Sequence, residues 1–209
     1  MDALTPADPF AVTTPEALAA LYPEPSYIVR NKTTDRLDAK TTSFITASPF
    51  FVLTTIGDRG PHGSPRGDAP GFVAVLDERT IAIPDRKGNN RLDALRDILD
   101  DPRVALLFFV PGMGETVRVH GTARITTDPS LRERFTHQGV VPPTVILVSV
   151  GEVFLQCARA ILRSKLWGDR RKGDGVPTAG ELLSEHMKGA VAPSHYDDDV
   201  GPRVARTLY

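Results

Sequence analysis

The sequence is poor in the features that mark several large classes of protein. It has a single cysteine, Cys157, among 209 residues, so no disulfide can form within the chain. The N-terminal stretch MDALTPADPF lacks the basic and apolar regions of a signal peptide. The longest apolar run, VALLFFV, has the length of a buried strand and is far shorter than the roughly 20 residues that span a bilayer. We therefore expect a cytoplasmic protein with no segment in a membrane.

The chain also lacks a surplus of either charge. Lys and Arg number 25 against 26 Asp and Glu, which gives a formal net charge of −1. Domains that bind nucleic acid or anionic membranes usually carry a basic surplus. We therefore expect neither nucleic acid nor an acidic membrane surface as a partner.

Several motifs of common enzyme classes are missing as well. The five histidines are scattered without metal-ligand spacing, and one cysteine cannot build a thiolate site, so no metal site is predicted. The glycine-rich stretch GPHGSPRGDAPG fits neither the Walker spacing nor G-x-G-x-x-G. No G-x-S-x-G nucleophile elbow is present, and no residue stands out as a general acid or base.

What the chain does contain is a series of short β-branched and aromatic runs separated by turn signals. Their short connections favour antiparallel pairing, and the pattern predicts a mainly β protein with peripheral helices, arranged as a Greek-key or split β-barrel. Pro65 places its weak strand at an edge or a bulge, and Gly151 predicts a bulge or a bend in the last strand. The seven predicted strands are Phe51–Ile56, HGSPRGD, GFVAVLD, TIAIP, VALLFFV, TVRVHGTARITT and TVILVSVGEVFLQ.

Helices are predicted from capping signals around these strands. Thr14 before Pro15 begins a short helix, and Thr178 with Glu181 forms a capping box. Asp35 is the candidate cap of a helix from about residue 37 to 47. The remaining predicted helices are Asn90 to about Leu99, Asp128 to about His137, ARAILRSKLW and one further turn in the C-terminal tail.

The stretch IAIPDRKGNNRLDAL carries an unusual polar turn between a strand and a helix. Arg86 and Lys87 add two positive charges where the start of a helix offers free N–H groups. Gly88 allows a close backbone approach or a positive φ, and Asn89 or Asn90 can cap the helix. The pattern fits a monophosphate site, and it equally fits a solvated, well-capped helix start.

Several motifs in the same order resemble the pyridoxamine 5'-phosphate oxidase-like family of FMN-binding split-barrel proteins. They are Arg66 in SPRGD, then TIAIP, DRKGNN, DDPRVALLFFV and ETVRVHGTARIT. CARAILRSKLW is similar to a segment of one bacterial subgroup of that family. The resemblance covers roughly residues 48 to 168. It implies an FMN-binding split β-barrel at 49–168. Outside the resemblance, we predict an N-terminal helical extension packed on the barrel at 1–48 and a helical C-terminal tail at 169–209.

The resemblance also implies a set of FMN-binding residues. Arg86 and Lys87 would hold the phosphate, with Asn90 in reach. Thr116 falls where the family commonly has a longer Gln against the flavin. Family members are usually homodimers with flavin at the interface, so the last three residues of the set would come from the neighbouring subunit. The full set is Ser64, Arg66, Ile83, Pro84, Asp85, Arg86, Lys87, Asn90, Thr116, Arg163, Ser164 and Trp167.

The expected activity is that of an FMN-dependent oxidoreductase acting on an unidentified small molecule, with a nicotinamide as one candidate electron donor. The tail GPRVARTLY has no counterpart of the Arg-x-His substrate signature of the family oxidase, so pyridoxamine phosphate itself is not expected. Two alternatives stay open. One is a non-catalytic flavin- or haem-binding split barrel, and the other is a deazaflavin-dependent reductase.

Overall fold

The structure is a computed structural model that describes residues 8–168 and 175–207. The chain divides into two compact units, Met1–Thr33 and Thr34–Tyr209. The described part of the first unit holds helices α1 (Pro15–Ala19) and α2 (Tyr27–Asn31). Thr14 caps α1 as predicted, since its side chain accepts a hydrogen bond from the Ala17 N–H at 3.1 Å. Helix α2 is not predictable from the sequence, because five residues are too few to show a helical period.

The second unit is built around seven antiparallel strands in the order β2-β1-β5-β6-β7-β4-β3. All seven correspond to predicted runs, and the mainly β architecture is confirmed. The strands are β1 (Phe50–Gly57), β2 (Gly60–Gly67), β3 (Ala74–Asp77), β4 (Thr80–Pro84), β5 (Arg103–Phe109), β6 (Thr116–Thr126) and β7 (Val145–Gln156).

The sheet curls, so that its first strand meets the end of its sixth. Arg66 on β2 forms an ion pair with Asp85, which directly follows β4. Asp68, just beyond β2, forms a second pair with Arg86. Because β2 and β4 lie far apart in strand order, these contacts are compatible only with a strongly curved sheet. The architecture is the predicted split β-barrel.

The core lies inside this curved sheet. Phe51 on β1 packs against Phe108 on β5 and against Phe72, with ring centroids 4.9 and 5.9 Å apart. Ile45 and Ile98, from two helices that pack against the strands, belong to the same buried cluster. Burying a large apolar side chain stabilises the fold by roughly 1.5–3 kcal/mol, so this cluster holds the strands that carry the candidate site.

Strand β2 is unusual, because glycine and proline fill every second position. His62, Ser64 and Arg66 form its partly buried face, while Pro61, Gly63, Pro65 and Gly67 alternate with them. The strand has little intrinsic propensity, and its continuous ladder to β1 holds it in place. It lies at the edge of the sheet, as Pro65 predicts. The predicted bulge is also confirmed, since Gly151 on β7 is skipped in the register with β6.

The described part of the second unit holds six further helices. Three predictions about them are wrong in detail. Asp38, rather than Asp35, caps α3, because Asp35 instead pairs with Arg79 and Arg36. Helix α6 ends three residues early, where Lys165 adopts a left-handed conformation, and the tail holds a helix of 15 residues rather than one turn. The helices are α3 (Ala39–Ala47), α4 (Asp93–Asp100), α5 (Pro129–Arg134), α6 (Arg159–Ser164), α7 (Ala179–His186) and α8 (Pro193–Thr207).

The capping box of α7 is confirmed. The Thr178 side chain accepts from the Glu181 N–H at 3.1 Å, and the Glu181 carboxylate accepts from the Thr178 N–H at 2.6 Å. Among the residues that the structure describes, no helix has the length and apolar character to cross a membrane. The boundaries predicted at residues 48 and 168 stay predictions.

Candidate functional site

A cavity of about 1020 Å³ opens between β2 and the segment that joins β4 to α4. We call it the β2–α4 cavity. One wall is residues 62–67 of β2, and another is residues 85–95. Half of the site residues predicted from the sequence line it, namely Ser64, Arg66, Asp85, Arg86, Lys87 and Asn90.

Arg66 and Asp85 form a largely buried ion pair at one wall of the cavity. Arg66 Nη1 donates to Asp85 Oδ1 at 2.8 Å, and the two side chains are 20% and 14% exposed. Asp85 is fixed in turn by its own N–H, which donates to the Thr144 carbonyl at 3.0 Å. Breaking one partner of such a pair would leave an uncompensated charge, so each residue holds the other in place.

Arg86 is held at two points beside this pair. Its Nε donates to Asp68 Oδ2 at 2.7 Å, and its Nη1 donates to the Phe135 carbonyl at 2.7 Å. Its side chain is 19% exposed and that of Asp68 only 2%. A guanidinium has five N–H donors, so three remain on Nη1 and Nη2 for a ligand in the cavity.

Lys87 and Gly88 form the exposed part of the basic turn. The Lys87 ammonium has no hydrogen bond or ion pair with any residue that the structure describes. It is therefore available to an anion. Of the two roles open to Gly88, a positive φ is not adopted, and the positive φ values of this segment occur at Asn90 and Leu92. An added Cβ at Gly88 would meet nothing within 4 Å, so the residue faces open space. Its other role, a close backbone approach to a ligand, stays a prediction.

The turn into α4 differs from the predicted cap. Asn89 Oδ1 accepts from the Arg91 N–H at 3.0 Å, which closes an Asx turn before the helix. Asn90 and Leu92 both have φ of 59°, and Leu92 is an N-cap without a side-chain hydrogen bond. The prediction that Asn89 or Asn90 caps the helix is therefore wrong, because the left-handed turn delays the helix start to Asp93.

The charges at this turn are partly compensated. Arg91 Nε donates to Asp93 Oδ2 at 2.9 Å. This hydrogen bond is the main cause that holds the pKa of Asp93 below its usual value, with smaller effects from the charges of Arg91, His62 and Arg59. The first turn of α4 therefore carries a carboxylate beside its free N–H groups, which leaves the cations at Arg86 and Lys87 as the stronger attraction for an anion.

Ser64 contributes a buried polar atom without a partner. Its Oγ is shielded from solvent and has no hydrogen bond within the described chain, yet Ser64 lines the β2–α4 cavity. Leaving such a group unpaired costs roughly 1–3 kcal/mol. A rotation of the Ser64 side chain toward the cavity would let a polar group of a bound molecule satisfy it.

His62 lines the cavity as well, and the sequence analysis did not assign it to the site. Its Nδ1 lies 3.1 Å from Asp97 Oδ2, and the same carboxylate oxygen accepts from the buried Thr55 hydroxyl at 2.6 Å. Carboxylate contact at Nδ1 favours a proton on that nitrogen and leaves Nε2 on the other side of the ring. The period-2 alternation with Ser64 and Arg66 is the signal that could have revealed it.

Three predicted residues are buried away from the cavity. Ile83 belongs to the main core and is fully buried, and Pro84 is buried beside it. Thr116 is 5% exposed and lies opposite Gln156 in the sheet. None of the three lines the β2–α4 cavity as the structure describes it, and their flavin contacts stay predictions.

The remaining three predicted residues lie on or after α6, outside the lining of the cavity. Ser164 Oγ donates to the Ile161 carbonyl at 3.0 Å, and Trp167 Nε1 donates to the Met113 carbonyl at 2.6 Å. Trp167 is 40% exposed, so it does not serve as a core residue within one chain. Arg163 is exposed on the same helix.

A sequence model of the pyridoxamine 5'-phosphate oxidase family matches residues 37–157, which is more than half of the chain and includes all of β1 to β7. The match ends before α6. A search of curated proteins found no match.

Solved structures give weaker similarities. HupZ of Group A Streptococcus is 17% identical with a TM-score of 0.48, over 57% of this chain and 94% of HupZ. General Stress Protein 26 of Bacillus anthracis is 18% identical with a TM-score of 0.43, over 55% and 88%. An FAD-binding protein of Mesorhizobium loti is 17% identical with a TM-score of 0.39, over 59% and 96%.

Proposed function

The chain belongs to the pyridoxamine 5'-phosphate oxidase family, and from this premise we propose that it is a flavoprotein that binds FMN noncovalently in the β2–α4 cavity. The observation that carries the proposal is the meeting of two kinds of group in one cavity. Arg86 and Lys87 offer N–H donors to an anion, and Ser64 offers a buried hydroxyl without a partner.

FMN has a phosphate at one pole and a planar ring at the other, so its site needs cations at one end and polar groups with apolar walls at the other. Lys87 and the free N–H groups of Arg86 would hold the phosphate. Ser64 would hydrogen-bond the ribityl chain or the ring, beside Arg66. Each charge-assisted contact is worth about 1.5–3 kcal/mol, so the phosphate would contribute a large share of the affinity.

The reaction we propose is a redox conversion of a small organic molecule, with a nicotinamide as one candidate donor. Bound flavin supplies the redox chemistry, and the protein binds and orients it. Arg66 would favour negative charge near the ring, although Asp85 compensates part of its charge at 2.8 Å. A cytoplasmic location is part of the proposal.

We also propose that two copies of the chain complete each site. Arg163, Ser164 and Trp167 lie outside the lining of their own chain's cavity, and Trp167, Leu162 and Leu166 expose apolar surface on this segment. Exposed aromatic surface of this kind is typical of interfaces. In a homodimer, these residues would face the cavity of the neighbouring subunit.

The first experiment is an absorbance spectrum of the purified protein, followed by denaturation and identification of any released cofactor. We expect the bands of oxidised flavin and release of FMN, or stoichiometric uptake of added FMN by colourless protein. Protein that is colourless and takes up no FMN refutes the proposal. A haem spectrum, or binding of a deazaflavin in place of FMN, supports one of the alternatives. FMN that binds but is not reduced by NADH or NADPH favours a binding protein.

A further inference from the structure

Asp68 is a rigidly held carboxylate next to the proposed phosphate pole. Its backbone N–H donates to the Pro49 carbonyl at 3.0 Å, and its Oδ1 accepts from the Ala69 N–H at 2.7 Å. The carboxylate is only 2% exposed. The backbone of Asp68 is thus fixed by Pro49 and its side chain by Ala69, independently of any ligand.

The second carboxylate oxygen of Asp68 forms an ion pair with Arg86. Oδ2 accepts from Arg86 Nε at 2.7 Å, while the Phe135 carbonyl accepts from Nη1 at 2.7 Å. Two attachments made by different parts of the barrel fix the plane of the guanidinium. The unused N–H groups then have a set direction at the wall of the β2–α4 cavity, which Arg86 lines.

We propose that Asp68 is a positioning residue that orients Arg86 for a phosphate in this cavity. The inference rests on the proposed function and adds a residue to it. A free arginine side chain loses much rotamer freedom when it binds an anion, and here that freedom is lost during folding. Affinity for the phosphate is therefore raised by an acidic residue that would itself repel a phosphate.

This last point separates positioning from simple charge compensation. If Asp68 only neutralised Arg86, its removal would leave the cavity more positive and would tighten the binding of an anion. If Asp68 positions Arg86, its removal weakens the binding of a phosphate despite the added positive charge. The two roles predict opposite signs for the same variant.

The test compares FMN with riboflavin, which lacks the phosphate, by fluorescence titration of flavin-free protein. For Asp68→Asn we expect FMN to bind about 10-fold or more weakly, and riboflavin to bind within about twofold of the wild type. The matched control is Asp101→Asn, which also removes an aspartate paired with an arginine, but on the surface and away from the cavity. The control should leave both affinities unchanged.

Each outcome decides the matter. Tighter or unchanged FMN binding by Asp68→Asn overturns the positioning role, and an equal loss for FMN and riboflavin shows that Asp68 shapes the whole cavity instead. If that variant does not fold, Arg86→Lys replaces it, since Lys keeps the charge and loses the two-point attachment. FMN binding retained by Arg86→Lys also overturns the inference. Wild-type protein that binds neither flavin refutes the proposed function itself, and with it this role.

Discussion

The two halves of the predicted flavin site differ in how their polar groups are satisfied. In the β2–α4 cavity, Arg66 and Arg86 form buried ion pairs, and Ser64 keeps a buried hydroxyl without a partner in the described chain. Around α6, Ser164 donates to the Ile161 carbonyl one turn earlier and Trp167 donates to the Met113 carbonyl, and both residues are exposed. A single chain thus fixes Arg66 and Arg86 at the wall of the cavity, while the α6 residues are presented at a surface.

Substitutions in the basic turn are expected to give the largest loss of FMN affinity, and they test the role of the cavity. Arg86→Ala combined with Lys87→Ala should weaken FMN binding by at least about 100-fold, because two charge-assisted phosphate contacts are lost. Titration of flavin-free protein measures it. The control is Lys40→Ala combined with Arg124→Ala, which removes the same charge outside the cavity. Equal FMN affinity of the folded double variant and the wild type would reduce the basic turn to a solvated helix start.

A second, smaller effect tests whether the α6 residues act across subunits. Trp167→Ala alone should weaken both FMN binding and the dimer, by about 10-fold for FMN if a ring contact is lost. Differently tagged chains then allow a mixed dimer of Trp167→Ala with the Arg86→Ala, Lys87→Ala chain. If Trp167 serves the neighbouring cavity, one site of this dimer is fully intact and binds FMN with wild-type affinity.

The same mixed dimer contains no intact site if Trp167 serves its own chain. Wild-type affinity at about half occupancy therefore supports the cross-subunit arrangement, and absence of tight binding contradicts it. A wild-type protein that is monomeric by light scattering would contradict it as well.

The smallest effect is expected for an ion pair outside both halves. The Arg103 side chain, by its hydrogen bonds to the Asp101 carboxylate, lowers the pKa of Asp101 from 3.8 to about 2. Because the folded-state pKa is depressed, the pair stabilises the protein above pH 3.8, and this stabilisation is lost as the pH falls through about 2. Asp101→Asn should lower the Tm slightly at pH 7 and not at pH 2. The exposure of the pair keeps the effect small, and a difference that grows on acidification would contradict the assignment.

Local patterns predicted much of the fold. The β-branched and aromatic runs identified all seven strands, because strand periodicity and turn residues are properties of neighbouring residues. Thr14, Asp128 and Thr178 were correct as caps for the same reason, since each bonds an N–H three residues ahead. The basic turn was found because its charged residues are adjacent in sequence.

The partners that complete the cavity were not predictable in this way. Asp68 and Arg86 are 18 residues apart, and His62 and Asp97 are 35 apart, so only the tertiary structure brings them together. The left-handed conformation of Leu92 has no local signal either, since leucine rarely adopts it. Sequence identified the charges near the cavity, and tertiary structure determined which of them are already paired.

The open edge of β2 limits how two copies of this chain can meet. Alternate residues of a strand direct their N–H groups to the same side, and Pro61 and Pro65 remove two of these donors. The ladder from β2 to β1 is continuous, so the missing donors are on the side that faces away from the sheet. Growth of the sheet by addition of a strand from another molecule is therefore disfavoured here. The barrel is protected against edge-to-edge aggregation at β2, and the proposed dimer has to form through side chains on another surface.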